Sequence, residues 1–396
     1  MTFMNYKKGL ERNLWLYALI RIFRKRAYIA VIIIYAVTYA NITVEQFGVI
    51  AAISAFFVMV LEIPSGYISD KIGHKKAITL GSFFMMIAPL GFVIAPNFYG
   101  VLFASLAYFG GEAFHSGTMQ AFLHETLIEL GRDGEFGKMT ARAQRWGIFG
   151  NIFLVGLVTL TYSIDPRLPF LIGFLLQSMI LIISLLFVTP RKEHQKITER
   201  IHDGFFALLK TVRHRNEIFL FFFLGFIAAV HNKIPEYKEL YFQDIGVPMW
   251  FFGLVYSLMG VVGIIFTYQI HKFEKYKAKT FYMVDFLIAC SASIMVGIVS
   301  NVFVGVGIFV LLGGYYRIRR ILTDVYLLKT CPTSNLKATY LSVYAFFASL
   351  NAIWVPLVLG YFIGRFGVQQ GYLAFGFGAL IISIISYLLI FRKINK

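Results

Sequence analysis

Residues 46–69, QFGVIAAISAFFVMVLEIPSGYIS, and 77–96, AITLGSFFMMIAPLGFVIAP, are two long apolar stretches parted by Asp70-Lys71-Ile72-Gly73-His74-Lys75-Lys76. A bilayer core about 30 Å thick is crossed by about 20 residues of helix. Lipid offers no partner to backbone N–H and C=O groups, so each stretch is read as a membrane-spanning helix. The pattern recurs along the whole chain. Spans are expected near 17–41, 46–69, 77–96, 99–128, 141–163, 168–189, 216–241, 248–270, 280–300, 302–327, 338–363 and 370–391. The fold class is therefore an all-α membrane protein of twelve transmembrane helices, the segments being too long and too continuously apolar for barrel strands.

Composition agrees. The chain is 58% hydrophobic and only 14% charged, with a mean hydropathy of +0.72, whereas an ordinary soluble domain carries about 25% charged residues. Disorder and a water-soluble globule are both excluded. The net charge of +17 does not point to nucleic acid, because the basic residues cluster in short loops between apolar spans. With both termini inside, 24 of the 37 Lys and Arg fall in inside loops and tails, two (Arg167 and Arg365) fall outside, and 11 lie within spans. That asymmetry predicts a multi-pass protein of the cell membrane with both termini cytoplasmic. Cys290 and Cys331 form no disulfide framework and no metal-ligand spacing. The first apolar segment runs into further spans without a small-residue cleavage site, so no removable signal peptide is expected.

The longest polar stretch, Pro190 to Arg215, carries seven Lys and Arg. It reads as a cytoplasmic linker (190–215) between two six-helix halves, 1–189 and 216–396. Equal helical halves are the layout of transporters built from repeats, with the substrate site at the repeat interface near the bilayer midplane.

The most specific local signal is Gly66-Tyr-Ile-Ser-Asp70-Lys71-Ile-Gly73-His74-Lys75-Lys76. Gly66 permits close helix contact and Asp70 ends a helix. Gly73 turns the chain, and the lysines hold the loop at the cytoplasmic surface. The stretch resembles the loop between helices two and three of the major facilitator superfamily, Gly-x-x-x-Asp-(Arg/Lys)-x-Gly-(Arg/Lys)-(Arg/Lys), with His74 standing where a basic residue is usual. The resemblance extends over the chain through the twelve spans and the linker. It implies a gating role for Gly66, Asp70, Lys71, Gly73, Lys75 and Lys76, with Asp70 latching the two halves. The matching loop after span eight, His271 to Lys277, keeps the charge but loses the Gly and Asp. Upstream, Glu62-Ile-Pro64 extends the likeness to a subgroup that contains small-molecule exporters, which implies efflux. The glycine motif of antiporters in helix five is half present: Gly147 and Gly156 are spaced as required, but Leu160 and Thr161 replace its Gly and Pro. The basic residue expected early in helix four is absent near Leu106.

Ionisable residues at bilayer depth are costly and are functional candidates by default. Here they gather in spans one, four, seven and ten, which line the central cavity in the family resembled. In span one, Arg21, Arg24 and Lys25 fall at i, i+3 and i+4 and would share a helical face, with Arg26 pointing away. The stripe either snorkels to the interface or forms an anion-attracting wall. Span four places Glu112 and His115 three residues apart, with Glu125 further on. A carboxylate beside an imidazole can exchange protons near neutral pH, so Glu62, Glu112 and His115 are the proton-coupling candidates. A structural polar pair is the alternative. Span seven offers His231 and a Lys233–Glu236 pair, and span ten offers Arg317, Arg320 and Asp324, with an Arg320–Asp324 pair at i, i+4. Either set serves the cavity or merely neutralises buried charge. The basic excess favours anionic, zwitterionic or polar amphipathic cargo.

No phosphate loop, His-Glu-x-x-His metal motif or Gly-x-Ser-x-Gly elbow occurs. The expectation is a secondary transporter rather than an enzyme, most simply a proton-coupled exporter of a small organic compound. It would work without a cofactor or metal, as a monomer in the bilayer, with no nucleic-acid partner. The alternative readings are proton-linked uptake of an anionic or zwitterionic solute and, more distantly, a polytopic membrane enzyme.

Overall fold

The computed structural model describes residues 3–191, 215–272, 276–331 and 337–394. The described chain divides into two compact units, one formed by Met1–Ile42 and Phe57–Thr198, the other by Thr43–Phe56 and Glu199–Lys396. Most of the expected linker, 192–214, lies outside the described residues.

In the first unit α1 (Phe3–Phe23) is followed by an irregular stretch, a single 3-10 turn (Ile29–Val31), α2 (Ile32–Ile34) and a π turn (Tyr35–Tyr39). Then come α3 (Val44–Ile72), of which Val44–Phe56 groups with the second unit, α4 (His74–Ile94), α5 (Phe98–His115), α6 (Thr118–Glu129), α7 (Phe136–Leu160) and α8 (Leu168–Leu186). The second unit continues with α9 (Arg215–Lys233), α10 (Lys238–Asp244), α11 (Phe252–Tyr268), α12 (Ala278–Ile298), α13 (Val302–Thr330), α14 (Lys337–Phe366) and α15 (Val368–Ile394).

Ten helices among the described residues are long and apolar enough to cross a membrane. The two expected spans missing from that set are the first and the fourth, and both are interrupted. Span one loses its α-helix after Phe23 and regains a turn only at Ile29. Span four breaks at Ser116–Gly117 between α5 and α6. Ten such helices and two interrupted segments among the described residues are consistent with the expected twelve.

The Asp70–Lys76 stretch is not an extended loop: α3 and α4 are joined by Gly73 alone, at φ +92°. A side chain is strained in that region, so the glycine is what lets one helix run into the next. Within the first unit α4 and α5 approach at glycines. A Cβ on Gly111 would lie 2.5 Å from the carbonyl oxygen of Gly81, and one on Gly91 would lie 2.5 Å from that of Gly100. Without a hydrophobic drive between helices in lipid, such close backbone approach supplies the packing that holds them.

Replacing Gly111 by Val is expected to force α4 and α5 apart. The cost should be about 1–3 kcal/mol, as for other overpacked cores, read as a lower melting temperature in detergent. Gly378→Ala, where a Cβ meets nothing within 4 Å, should leave that temperature unchanged.

Candidate functional site

The two interrupted spans meet at an ion pair. Arg24, the first residue beyond α1, turns its guanidinium onto Glu112 near the end of α5, with Nε 2.7 Å from Oε1 and Nη2 2.9 Å from Oε2. Two parallel N–H donors on one carboxylate make the strong, planar form of this contact. The Tyr108 hydroxyl donates to the Arg24 carbonyl at 3.4 Å. The guanidinium of Arg26 stacks 4.4 Å from the Tyr108 ring centre and 5.1 Å from that of Phe109. Arg21 Nη2 donates to the Tyr17 hydroxyl at 2.9 Å. The pair is not sealed: 16% of the Arg24 side chain and 22% of the Glu112 side chain are exposed.

His115 does not share a hydrogen bond with Glu112. Its Nε2 lies 3.0 Å from both the Ser82 hydroxyl and the Ile78 carbonyl of α4. A carbonyl only accepts, so Nε2 carries the proton, and Nδ1 is buried without a partner among the described residues. Glu125 of α6 pairs instead with His74, Nε2 to Oε1 at 3.2 Å. His74 Nδ1 lies 3.0 Å from Ser69 Oγ, which accepts from Thr118 Oγ1 at 2.9 Å. The departure at His74 is thus a buried tie between α3, α4 and α6. Glu62, Asp70, Lys71 and Lys76 are exposed and Lys75 is partly so. Among the described residues none of these five forms an ion pair.

In the second unit the deepest charges surround Asp285 of α12. Arg319 Nε lies 2.9 and 3.0 Å from its two carboxylate oxygens, and the Tyr315 hydroxyl donates to Oδ1 at 3.0 Å. His231 Nε2 stands 3.7 Å from the same oxygen, while its Nδ1 donates to the Ile227 carbonyl at 3.0 Å. Only 2% of the Arg319 side chain and 1% of the Asp285 side chain are exposed. Two further pairs stand at the end of α9 and the start of α10, Lys233–Glu236 and Lys238–Glu239, each at 2.6 Å.

The sequence model of the Major Facilitator Superfamily matches residues 14–318. The chain belongs to the major facilitator superfamily. It is 22% identical over 353 residues to YxaM of Bacillus subtilis (strain 168), an uncharacterized MFS-type transporter, covering 87% of each protein. Its fold is similar to that of the nucleoside transporter NupG, with a TM-score of 0.80 at 14% identity over 98% of this chain and 99% of that one. It is also similar to a bacterial homolog of the human lysosomal transporter Spinster, with a TM-score of 0.72 at 15% identity over 99% and 98%. The fold is shared with these proteins; their cargo is not thereby assigned. As a superfamily member the protein is a multi-pass membrane transporter of small molecules.

Three expectations are corrected. Arg21, Arg24 and Lys25 do not form one helical stripe, because α1 ends at Phe23 and Arg24 leaves the helix to meet Glu112. Arg26 does not point away but packs on two rings of α5. In span ten, Arg320 is exposed and forms no ion pair with Asp324 among the described residues, and Arg317 packs beside Gly263 of α11. The buried cation of that helix is Arg319. Sequence reasoning passed over it together with Asp285, Lys238 and Glu239; the signal was a single acid, Asp285, inside an otherwise apolar span.

Breaking the sealed pair on one side leaves a buried charge uncompensated, at a cost of about 3–5 kcal/mol. Asp285→Asn alone is therefore expected to destabilise strongly. Asp285→Asn combined with Arg319→Gln should recover a substantial part of the loss in a double-mutant cycle on melting temperature.

Proposed function

We propose that this chain is a proton-coupled exporter of a small organic compound, in the cell membrane with both termini cytoplasmic. Glu112 is the proton site and Arg24 its exchangeable partner. The observation that carries this reading is the half-open Arg24–Glu112 fork at the junction of the two interrupted spans. Such a fork is a preformed receptor for a carboxylate, and its present occupant belongs to the protein itself.

Antiport requires cargo and proton to compete for one group. A zwitterionic or polar cargo inserted into the fork presents its carboxylate to Arg24 and its amine or hydroxyl donors to Glu112. Protonating Glu112 then removes the acceptor and releases the cargo. His115, one turn along α5, is buried beside this site and supplies a second group able to take a proton. The loop residues Asp70, Lys71 and Lys76, exposed, and Lys75, partly exposed, form no ion pair among the described residues and serve the cytoplasmic gate. Transport by a monomer follows from one chain holding both units.

The excess of cations beside Glu112 favours a second reading. Arg21, Arg24, Lys25 and Arg26 stand within a few residues of the break. A simple organic anion on Arg24 would free Glu112 to take a proton. Cargo and proton would then bind together, which is symport and uptake.

The two readings differ in the sign of a linkage. Thermal stabilisation of the purified protein by zwitterions, anions and lipophilic cations, at about pH 6 and about pH 8, separates them. Zwitterion binding that weakens as pH falls supports exchange; anion binding that strengthens as pH falls supports symport. Stabilisation by lipophilic cations alone removes the fork from cargo binding. In everted vesicles acidified inside, a stabilising compound should collapse the proton gradient. Glu112→Gln should reduce that by at least about tenfold, equivalent to about 1.4 kcal/mol, while sparing gradient-free exchange of labelled cargo.

A further inference from the structure

The second unit holds a cavity that the transport reading does not use. It has a volume of about 650 Å³ and lies between α12 and α13, with α11 behind it. Thr280, Val284, Ile288 and Met295 form the α12 wall, and Leu311 and Tyr315 stand on α13. Val284, Met295 and Leu311 are 42%, 45% and 58% exposed, so the cavity is a groove open to the surface that crosses the bilayer. From Thr280 to Met295 the wall runs about 22 Å at the helical rise of 1.5 Å per residue.

The lining suits hydrocarbon and little else. Two hydroxyls deep in it are already engaged, Ser291 with the Ile288 carbonyl of its own helix and Tyr315 with the buried Asp285, while those of Tyr276 and Thr280 stand at its basic end. One leaflet of a bilayer core is about 15 Å deep, so the groove holds the full depth of one leaflet's acyl chain. The end nearest Thr280 is basic, with Lys272, Lys277, Lys279 and Lys329 all exposed there. Phosphate is the group on a membrane lipid that such a cluster attracts.

The corresponding helices of the first unit pack directly against each other. There α4 and α5 close on Gly81, Gly91, Gly100 and Gly111. In the second unit the glycines of α13 face away from α12, Gly305 onto Tyr241 of α10 and Gly313 and Gly314 onto Met259 and Phe266 of α11, while Gly307 meets nothing within 4 Å. No glycine of α12 or α13 therefore meets the facing helix across this seam.

We propose that this groove binds an anionic phospholipid, with one acyl chain between α12 and α13 and the headgroup phosphate at Lys277 and Lys279. The chain supplies the packing that glycines supply between α4 and α5. Through Tyr315 it backs the Asp285–Arg319 pair.

The test uses the full-length chain in phosphatidylcholine nanodiscs containing phosphatidylglycerol with a photoreactive diazirine in its acyl chain, with labelled residues mapped by mass spectrometry. Label is expected to concentrate on 280–295 and 308–315, about tenfold above the exposed stretch around Ile381–Ile385 of α15, a preference of about 1.4 kcal/mol. Ser291→Trp, which fills the groove, should remove the excess; Leu311→Trp on the opposite wall serves should the first variant fail to fold. Lys277→Gln with Lys279→Gln should abolish the advantage of phosphatidylglycerol over diazirine-labelled phosphatidylcholine while sparing labelling of the groove by the latter. Even labelling of all exposed apolar helices would overturn the proposal. So would cross-links joining two copies of the chain, or displacement of the label by glycerol phosphate, which lacks the chain.

Discussion

Hydrocarbon offers no partner to an open backbone group, a guanidinium or a carboxylate, and the interruptions of helix in this transporter are closed from within. Where α1 stops, the freed Arg24 carbonyl accepts from Tyr108 and the Arg24 side chain takes both oxygens of Glu112. Further along span one the Tyr35 hydroxyl donates to the Phe92 carbonyl at 2.7 Å, and Thr38 returns a hydrogen bond to Ile34 at 2.7 Å. The break in span four is flanked by His115, held to α4, and by Thr118, held through Ser69 to His74. Irregular backbone at membrane depth is tolerated only with such internal partners. The polar residues of the first unit are therefore placed by the breaks, and the breaks are possible because of them.

Apolarity alone made the crossing segments legible, since an unpaired backbone in lipid forces helix wherever the side chains are apolar for long enough. It could not reveal where span one or span four would break. Replacing an α turn by a 3-10 or π turn changes no residue and therefore no hydropathy. The mistaken stripe of Arg21, Arg24 and Lys25 follows directly, because i, i+3 and i+4 spacing defines a face only while the helix continues. A different limit operated at Arg319. The choice of Arg317, Arg320 and Asp324 rested on spacing within one helix, whereas the partner of Arg319 lies 34 residues back on α12. Ion pairs in a bundle are long-range in sequence, and spacing is silent on them. The turn at Gly73 was legible because its cause is local: a positive φ that favours glycine.

The two units solve the same packing problem differently. Small residues let α4 and α5 touch backbone to backbone, whereas α12 and α13 carry Val, Ile, Leu and Met at the facing positions and leave a groove. A repeat architecture does not require its halves to remain equivalent, and the degenerate loop after α11 shows the same divergence in sequence. The loss of Gly and Asp there removes the signature but keeps the lysines, of which Lys272 and Lys277 are exposed at the end of the groove where an acidic headgroup would sit.

The buried charges also divide by access, and access decides what each pair can do. Withdrawing a carboxylate and a guanidinium from water is costly, and their mutual attraction offsets that cost only when both are satisfied. The Asp285–Arg319 pair is closed over by Tyr315 and His231 and has no room for a solute, so its exchange for another partner would strand a charge. At Arg24–Glu112 part of each side chain remains exposed, and the proposed exchange of one partner for a solute or a proton rests on that. The same residue types in the same bilayer are thus sealed in one unit and partly exposed in the other. Part of the basic excess in the spans is matched on folding, because Arg24, Lys233, Lys238 and Arg319 each pair with an acid. In the proposed exchange, cargo is selected less by the net charge of the spans than by which of those acids can be displaced, and the exposure of Glu112 is what supports its place in that proposal.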